Sequence, residues 1–572
     1  MADFDLIIRG GSVVDGTGGP EFTGDVAVTG GRIAAVGRVD GAGRREVDAD
    51  GATVTPGFVD IHTHYDGQAT WDSTLQPSSW HGVTTVLAGN CGVGFAPARA
   101  TDHHRLIKLM EGIEDIPEVA LTEGLRWDWE SFPEFMDVLA RRPRDIDMAV
   151  QIPHAPLRVY VMGDRAAARA DATDDEIAQM ARLVREAISA GALGFSTSRT
   201  LKHKAKDGEN TPSYGVGDAE LSAIARALGE TGTGVLQLVA DFVDLDDDFR
   251  VIEGMARSSR RPVSVSLAQE RDRPDTYRAV LARITALNAQ GHQVKAQVAA
   301  RGIGMLLGLQ CSLHPFMTNP VWKAELAGRP VAEQARLMAE PTMKAKVLAA
   351  HTGHADPTVL GGDRIYRWEA MFPLTDPPDY EPPLDRSVAA IASRTGRSAV
   401  EVAYDLVVQD GGRAMIYEPF TNYADGSLDP VREMLVHPHS LPGLSDGGAH
   451  IGVICDASFP TSQLQYWARE RPSGRLPLTY VVQRQARDTA RFVGLGDRGV
   501  IAPGYKADLN VIDLPHLRLR LPEVHFDLPA GGRRLLQRAD GYVHTFVSGV
   551  ETYSHGAATG ERPGRLVRGG TS

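Results

Sequence analysis

The stretch from Val54 to Asp66, VTPGFVDIHTHYD, constrains the fold more than any other part of the sequence. Its apolar residues surround a Pro56-Gly57 pair and form a nearly continuous hydrophobic run, which is typical of a buried strand in a parallel sheet. His62 and His64 come at the end of this run, and side chains two positions apart on a strand point to the same face. We therefore predict a buried strand whose carboxyl end presents two imidazoles to one divalent metal ion such as zinc.

Strand-like runs alternate with helical patterns through the middle of the chain, which favours an α/β fold with a closed parallel barrel. The predicted barrel strands are FVDIHTH, VTTVLAGNC, MAVQIPH, ALGFSTSR, GVLQLVAD, PVSVSLAQ, QVKAQVAA and SLPGLSD. Helices are predicted over Thr173–Ala190, Asp218–Glu230 and Pro274–Gln290, and the first of them starts with a Thr-Asp-Asp-Glu cap. The alternation predicts β/α units, but by itself it does not give the number of strands.

Short alternating runs separated by Gly-rich turns occur at both ends of the chain. Either group alone has too few strands to bury a face, so we predict one β-sandwich built from residues 1–53 and 491–572. The barrel is expected over residues 54–490. It contains an insertion at about residues 302–429, which is too long for an ordinary βα loop and is expected to form a lid or a substrate wall.

Charge and cysteine content narrow the class of protein. The 572-residue chain has a formal net charge of −13 and no basic cluster, which argues against nucleic acid and acidic membranes as partners. Three cysteines are too few for a disulfide scaffold, and no signal peptide or membrane-spanning run is apparent, so a cytoplasmic location is expected. The expected partner is a small-molecule substrate, and the sequence leaves open whether the chain forms a homo-oligomer.

Several motifs resemble the amidohydrolase superfamily. They are PGFVDIHTH, GVTTVLAGNCG, LSDGGAH and IAPGYKADLNVID, which together span nearly the whole chain. Within the superfamily the chain resembles the N-acyl-D-amino-acid deacylases, or D-aminoacylases, mainly through Asn90-Cys91-Gly92 and the C-terminal VSGVETYSHGAATGERPGRLVRG. The resemblance implies a TIM-like (β/α)8 barrel with a small β-sandwich domain, and metal-dependent hydrolysis of an amide bond.

Two further residues complete the candidate metal site. Cys91 follows the apolar run VTTVLAG, and its thiolate beside two imidazoles would make a nitrogen and sulfur set suited to zinc; a buried inert cysteine is the alternative. The resemblance implies that Cys91 is a metal ligand, and that Asp446 in LSDGGAH binds the metal-activated water and shuttles its proton. An Asx-turn is the alternative for Asp446. His450, one loop onward, faces either the site or only its own loop.

The chain departs from the family pattern at two strands. Family deacylases carry metal-binding histidines at the ends of strands five and six, where this sequence offers only Gln237 and Gln269. The fourth strand also lacks the lysine that serves hydantoinase-like relatives. We therefore expect about one Zn²⁺ per chain, or another divalent metal, rather than a tightly held pair.

Further polar residues follow predicted strands and are candidates for binding substrate. They are His154, Arg158, Arg199, His203 and Arg301. One guanidinium among them would bind a substrate carboxylate through two hydrogen bonds. A structural salt bridge is the alternative for each.

The leading hypothesis is a metal-dependent amidohydrolase that cleaves the C–N amide bond of an N-acyl amino acid, the D-form included, or of a similar small amide. A second hypothesis keeps the fold but opens a cyclic amide or imide, or deaminates; the missing lysine and histidines weaken it. A third is a metal-poor binding protein that retains the barrel. The presence of His62, His64, Cys91 and Asp446 together counts against the third hypothesis.

Overall fold

The two ends of the chain form one nine-stranded sheet, which we call the terminal sheet. The computed structural model describes residues 2–355 and 361–570, so residue 1, residues 356–360 of the expected insertion and residues 571–572 lie outside the described part. The strands of the terminal sheet are Phe4–Val13, Phe22–Thr29, Arg32–Gly37, Gly43–Asp48, Thr53–Pro56, Leu509–Ile512, Tyr542–Val547, Val550–Ser554 and Ala557–Ala558. The N-terminal and C-terminal halves join where Thr53–Pro56 pairs antiparallel with Leu509–Ile512.

The stretch predicted as one strand from Val54 onward is in fact two strands that belong to different sheets. Thr53–Pro56 ends the N-terminal part of the terminal sheet, and Phe58–Asp60 starts the barrel. Gly57 lies between them, and its N–H donates to the carbonyl of Asp508 at 2.8 Å. A Cβ atom at Gly57 would lie 2.1 Å from Thr84 Oγ1, so any other residue here would have to displace the Thr84 side chain.

Eight parallel strands form the barrel, and we number them one to eight in chain order. Their bounds are Phe58–Asp60, Val83–Ala88, Asp147–Pro153, Gly194–Ser198, Val235–Val239, Val263–Leu267, Val294–Val298 and Ser440–Pro442. The segments that follow strands one and eight close the ring: Thr63 bridges Gly447, and the His64 N–H donates to the Gly447 carbonyl at 2.8 Å. The predicted TIM-like barrel is confirmed, and its closure lies at the carboxyl ends of the strands.

Helices cover the outside of the barrel, and the three predicted ones are present as Asp174–Ser189, Asp218–Gly229 and Thr276–Ala289. The hydroxyl of Thr173 caps the first of them by accepting from the Glu176 N–H. The other helices of the barrel domain are Gln68–Trp71, His103–Glu114, Glu118–Gly124, Phe132–Arg141, His154–Met162, Asp164–Ala167, Leu245–Ser259, Asp429–Val436, Phe459–Ser462, Leu478–Gln483 and Thr489–Phe492, with π-helical turns at Gln463–Glu470 and Arg484–Asp488.

The long excursion after strand seven has its own sheet and its own core. Its three antiparallel strands are Gly304–Leu307, Phe372–Pro373 and Ile416–Pro419. Its helices are Pro320–Glu325, Val331–Met338, Pro341–Ala349, Val388–Thr395 and Ala399–Gly412. The last two are separated at Gly396, which has a φ of 65° and caps the first of them. Because a separate apolar cluster fills this excursion, it is a packed subdomain beside the barrel rather than a long loop.

A hairpin from the C-terminal part of the chain reaches the carboxyl end of the barrel. Its strands are Glu523–Leu528 and Gly532–Leu536, and the N–H of Leu535 donates to the carbonyl of Ile451 at 2.6 Å. A second short pair joins Arg518–Leu519 to Ala539–Asp540. Among the described helices, none combines the length and the apolar character needed to cross a bilayer.

Candidate metal centre

His62 lies just beyond barrel strand one and is buried, with 1 % of its surface exposed. Its Nδ1 is 2.7 Å from Gln297 Oε1, and Gln297 in turn donates through Nε2 to Ser264 Oγ at 2.9 Å. This chain of bonds places the ring proton on Nδ1 and leaves Nε2 as a free donor of an electron pair. Burial lowers the pKa of His62 to about 4, so the ring is neutral, as a metal ligand must be.

His64 lies on the same side of the chain and is equally buried. Its Nδ1 is 3.2 Å from Glu114 Oε1 and its Nε2 is 3.7 Å from Asp446 Oδ1. Burial opposes a charge on this imidazole, but the carboxylates of Glu114 and Asp446 and the thiol of Cys91 raise the pKa of His64 well above its ordinary value. The surroundings of His64 thus favour a positive charge at this point.

Cys91 follows barrel strand two and completes a group of three donors. The ligand atoms of His62, His64 and Cys91 all lie within 4.8 Å of one another, and His62 Nε2 is 3.3 Å from Cys91 Sγ. Cys91 has a φ of 56°, and its N–H donates to Gln237 Oε1 at 3.0 Å, which holds this uncommon backbone conformation. Burial raises the pKa of the Cys91 thiol to about 11, so a bound cation is what would keep it as thiolate.

Asp446 approaches the same donors from the end of barrel strand eight. Its Oδ1 is 3.3 Å from His62 Nε2, and its N–H donates to the His62 carbonyl at 3.2 Å. Burial alone would raise the pKa of Asp446, but His64 and His62 hold it well below its usual range, so the carboxylate is ionised. Asp446 also has a positive φ, 50°, which is uncommon outside glycine and is typical of functional sites.

These donors fit zinc. Ligand atoms about 2.0–2.3 Å from one tetrahedral ion lie roughly 3.3–3.8 Å apart. The separations of His62 Nε2 from Cys91 Sγ and from Asp446 Oδ1 are both 3.3 Å, and His64 Nε2 is 3.7 Å from Asp446 Oδ1. Two imidazoles, a thiol and a carboxylate are a ligand set that zinc accepts. A divalent cation would also satisfy the local preference for positive charge at His64.

Gln237 on barrel strand five and Gln269 just after strand six have structural roles. Gln237 accepts the N–H of Cys91, as described above, and its Nε2 is 3.4 Å from Ser266 Oγ. Gln269 faces the insertion, where its Oε1 accepts from the Ala424 N–H at 3.2 Å and its Nε2 donates to Asp425 at 3.2 Å. Both amides are therefore engaged in bonds that hold loops together.

His154 and Arg158, two of the predicted substrate residues, belong to a buried ion network. His154 Nε2 is 2.7 Å from Glu220 Oε1, and its Nδ1 is 2.8 Å from Thr197 Oγ1. Arg158 pairs with the other oxygen of Glu220 and donates to the Ala170 carbonyl at 2.7 Å. These bonds join barrel strand four to two surrounding helices, which is the structural role weighed as the alternative.

Two arginines have most of their donors committed in the same way. Arg199 pairs with Asp247 at 2.5 Å and donates to the carbonyl of Val216 at 2.6 Å. Arg301 is buried, and its Nη2 donates to Asp456 Oδ1 at 3.1 Å, to the Cys455 carbonyl at 3.2 Å and to Ser458 Oγ at 3.0 Å. Its guanidinium lies over the Tyr380 ring, 3.4 Å from the centroid, while its Nε and Nη1 have no hydrogen-bond partner among the described residues.

His203 and His450 are the predicted substrate residues that lie beside the cluster. His450 Nε2 is 4.0 Å from Asp446 Oδ2. His203 bonds through Nδ1 to Ser198 Oγ at 2.9 Å. Burial, with the nearby charges of His450 and His64, lowers the pKa of His203 to about 3, so this imidazole is neutral.

Glu114 was missed by the sequence analysis. Its carboxylate is 1 % exposed and lies 3.2 Å from His64 Nδ1 and 3.5 Å from His450 Nε2. A signal was present, because Glu114 continues the apolar face that Ile107 and Met110 form on the helix His103–Glu114. A carboxylate on the buried face of an amphipathic helix is a candidate for a functional role.

A parallel eight-stranded barrel with two histidines, a cysteine and an aspartate at its carboxyl end defines a class of metal-dependent hydrolases. The pattern described as "Amidohydrolase family" matches residues 45–553, and the chain belongs to that family. A D-aminoacylase from Alcaligenes xylosoxydans xylosoxydans is 27 % identical over 99 % of this chain and 97 % of its own length.

Solved structures show the same architecture. The crystal structure of a D-aminoacylase, described as defining a novel subset of amidohydrolases, is 25 % identical with a TM-score of 0.65 and covers 99 % of this chain and 100 % of its own. The N-acyl-D-glutamate deacylase from Bordetella bronchiseptica, solved with zinc and a phosphonate inhibitor, is 24 % identical with a TM-score of 0.65, and 99 % of each chain is covered. The likeness to the N-acyl-D-glutamate deacylase is evidence for the fold of this chain.

Proposed function

We propose that this chain hydrolyses the amide bond of N-acyl amino acids, with preference for the D-form, at a single zinc ion held by His62, His64, Cys91 and Asp446. The observation that carries the proposal is the convergence of these donors from barrel strands one, two and eight on one point. The D-aminoacylase relative, which aligns over nearly the whole chain, supports the substrate class.

His62, His64, Cys91 and Asp446 would hold the zinc ion, which when bound would supply Lewis-acid polarisation of the substrate carbonyl and would lower the pKa of a water from about 15.7 toward 7. His62 supplies Nε2 because Gln297 holds its other nitrogen, and Cys91 supplies the softer sulfur donor.

Asp446 has the position and charge of the proton carrier. Its carboxylate is ionised, and one oxygen faces the two histidines while the other lies 4.0 Å from His450. In the forward step Asp446 accepts the proton of the attacking water as general base. It then returns that proton to the nitrogen of the leaving amino acid, so that the amine departs neutral.

The proposal of one metal ion per chain rests on Gln237 and Gln269, which stand where a second metal ion would need stronger ligands. A second site of the family's kind needs donors at strands five and six, and Gln237 and Gln269 have neutral amides that are bound to Cys91 and to the insertion. Amide oxygens are weak ligands for zinc compared with imidazole and thiolate.

The residues that contact the substrate are proposed by excluding the candidates that are already bound within the scaffold. Because His154, Arg158, Arg199 and Arg301 each pair with a carboxylate of the scaffold, we place His203 and His450 against the substrate. Neutral His203 would then donate or accept a hydrogen bond at the acyl or carboxylate group.

The three free, buried cysteines support the cytoplasmic location expected from the sequence.

Zinc analysis combined with a substrate panel tests this function. We expect about one zinc per chain in the purified protein, and release of amino acid from N-acetyl-D-amino acids faster than from the L-enantiomers or than ring opening of cyclic imides. Cys91→Ala should lose the zinc and the activity, while Cys311→Ala, which changes a buried cysteine of the insertion subdomain, should keep both. Turnover confined to cyclic imides would overturn the substrate class, and a zinc-free active protein would overturn the metal site.

A further inference from the structure

We propose that Glu114 is a positioning residue of the metal centre, which holds His64 with one carboxylate oxygen and His450 with the other. Oε1 lies 3.2 Å from His64 Nδ1, and Oε2 lies 3.5 Å from His450 Nε2. The inference rests on the metal site proposed above but not on the identity of the substrate.

The first contact sets the tautomer of His64. This imidazole turns Nε2 toward Asp446, at 3.7 Å, and toward the other donors of the cluster, so its proton belongs on Nδ1. Among the described residues, His64 Nδ1 is buried without an aligned hydrogen bond, and the acceptor that faces it is Glu114 Oε1 at 3.2 Å. A carboxylate behind a metal-binding histidine fixes the ring and makes it a more basic ligand.

The two histidines of the HxH motif are thus supported differently. Gln297, a neutral amide on barrel strand seven, is hydrogen-bonded to His62, whereas the carboxyl group of Glu114 faces His64 at 3.2 Å. A negative charge behind one ligand adds to the attraction for a cation, so we expect Glu114 to contribute more to zinc affinity than to the fold.

The second contact, between Glu114 and His450, connects the segment after strand one with the segment after strand eight, because Glu114 also lies beside His64. His450 has a φ of 49° and lies on the loop that carries Asp446, with Nε2 between the carboxylates of Asp446 and Glu114. Immediately after Glu114, the Asp115 carboxylate accepts the Gly452 N–H at 3.1 Å. The helix end therefore holds this loop at two points.

The location of Glu114 is unfavourable for the helix itself. It is the last residue of His103–Glu114, where the helix dipole disfavours a negative charge, and it is also buried. Because both desolvation and the helix dipole disfavour an acidic residue at this position, its contacts with His64 and His450 are what account for it.

Zinc affinity measured by chelator competition tests the inference without any need for activity. Glu114→Gln should bind zinc about 10–100-fold more weakly than the wild type, which is the usual loss for a residue supporting a metal ligand. Glu111→Gln is the matched control, because Glu111 lies one turn earlier on the same helix and pairs with Lys206 at 2.5 Å instead. We expect this control to stay within twofold of the wild type.

The absorption spectrum of the Co²⁺-substituted protein provides a second measurement. A shifted d–d band in Glu114→Gln, with an unchanged band in Glu111→Gln, would support a positioning role. A variant that melts at a lower temperature but keeps its zinc affinity and Co²⁺ spectrum would show that Glu114 is only structural, and the inference would be overturned.

Glu114→Asp keeps the charge but withdraws it by one methylene, and it should show an affinity between those of Glu114→Gln and the wild type. If Glu114→Gln does not fold, a wild-type zinc affinity in Glu114→Asp would overturn the inference. Absence of zinc from the wild type would overturn the proposed metal site as a whole, whereas equal affinities in the wild type and Glu114→Gln would overturn this inference alone.

Discussion

At the scale of single residues, the site depends on which nitrogen or oxygen each neighbour leaves free. Gln297 occupies His62 Nδ1, so Nε2 is turned to the cluster, and Gln237 holds the backbone of Cys91 in a left-handed conformation that aims its sulfur. Asp446 and His450 also have positive φ values. Strained backbone at these positions stays in place only because the surrounding bonds enforce it.

Asp446→Asn tests the proton carrier. The amide keeps the size of the side chain but cannot accept a proton, so we expect turnover to fall by about 10²–10⁴-fold, the usual contribution of a general base. Zinc content, measured in the same preparation, should stay near the wild-type level because His62, His64 and Cys91 remain. Activity close to that of the wild type in the zinc-loaded variant would remove Asp446 from the mechanism.

His62 and His64 were predicted as ligands from the sequence because they follow an apolar strand pattern two positions apart, whereas Cys91 and Asp446 were assigned their roles through the resemblance to the amidohydrolases. Glu114 was overlooked because it lies on a helix between strands two and three, where no strand pattern places it, although its position on the buried face of that helix was a signal. His154, Arg158 and Arg199 follow strands as well, but their partners, Glu220 and Asp247, come from separate helices that local patterns cannot bring into register.

At the scale of elements, the junction between the terminal sheet and the barrel determines the direction of the strand that leads to His62 and His64. Thr53–Pro56 and Phe58–Asp60 are separated by one residue, and the carbonyls of Gly82 and Asp508 accept from the N–H groups of Phe58 and Gly57. The strand that leads to the HxH motif is thus tied on one side to the barrel and on the other to the terminal sheet.

Gly57→Ala should disturb this junction. Its Cβ would lie 2.1–2.7 Å from three atoms of the Thr84 side chain, so we expect a loss of about 1–3 kcal/mol in the free energy of unfolding. Gly496→Ala is the control, because no atom lies within 4 Å of its Cβ position. Urea unfolding measures both variants, and equal midpoints for the two would contradict the tight contact.

At the scale of the whole molecule, a buried charge network fastens the C-terminal segment to the barrel. Asp147 on strand three is 2.7 Å from Arg498 Nη1 and 3.0 Å from Lys506 Nζ, and Lys506 also pairs with Asp508 at 2.5 Å. Burial would raise the pKa of Asp147, but Lys506 and Arg498 hold it below its ordinary value. The terminal sheet and the barrel are therefore joined by charge as well as by packing.

Asp147→Asn should weaken this junction and change its dependence on pH. Breaking a buried ion pair at one end costs about 3–5 kcal/mol, so the variant should unfold at lower urea concentration at pH 7. Because the folded pKa of Asp147 is depressed, its contribution is complete above the unfolded value of about 3.9 and is lost as the pH falls through the folded pKa. The stability difference between wild type and variant should thus shrink below about pH 4, and a constant difference down to pH 2 would contradict the linkage.

The sequence by itself determined the alternation of strands and helices and placed His62 and His64 together at a strand end, because hydrophobic period and strand ends are local properties of the chain. The roles proposed for Cys91 and Asp446 came from the resemblance to the amidohydrolases. Only the tertiary structure decided where Val54–Asp66 divides between two sheets, that Glu114 reaches His64, and that Gln237 holds Cys91. These depend on side chains far apart in sequence meeting across a closed barrel, and that proximity is set by packing of the whole ring rather than by any one segment.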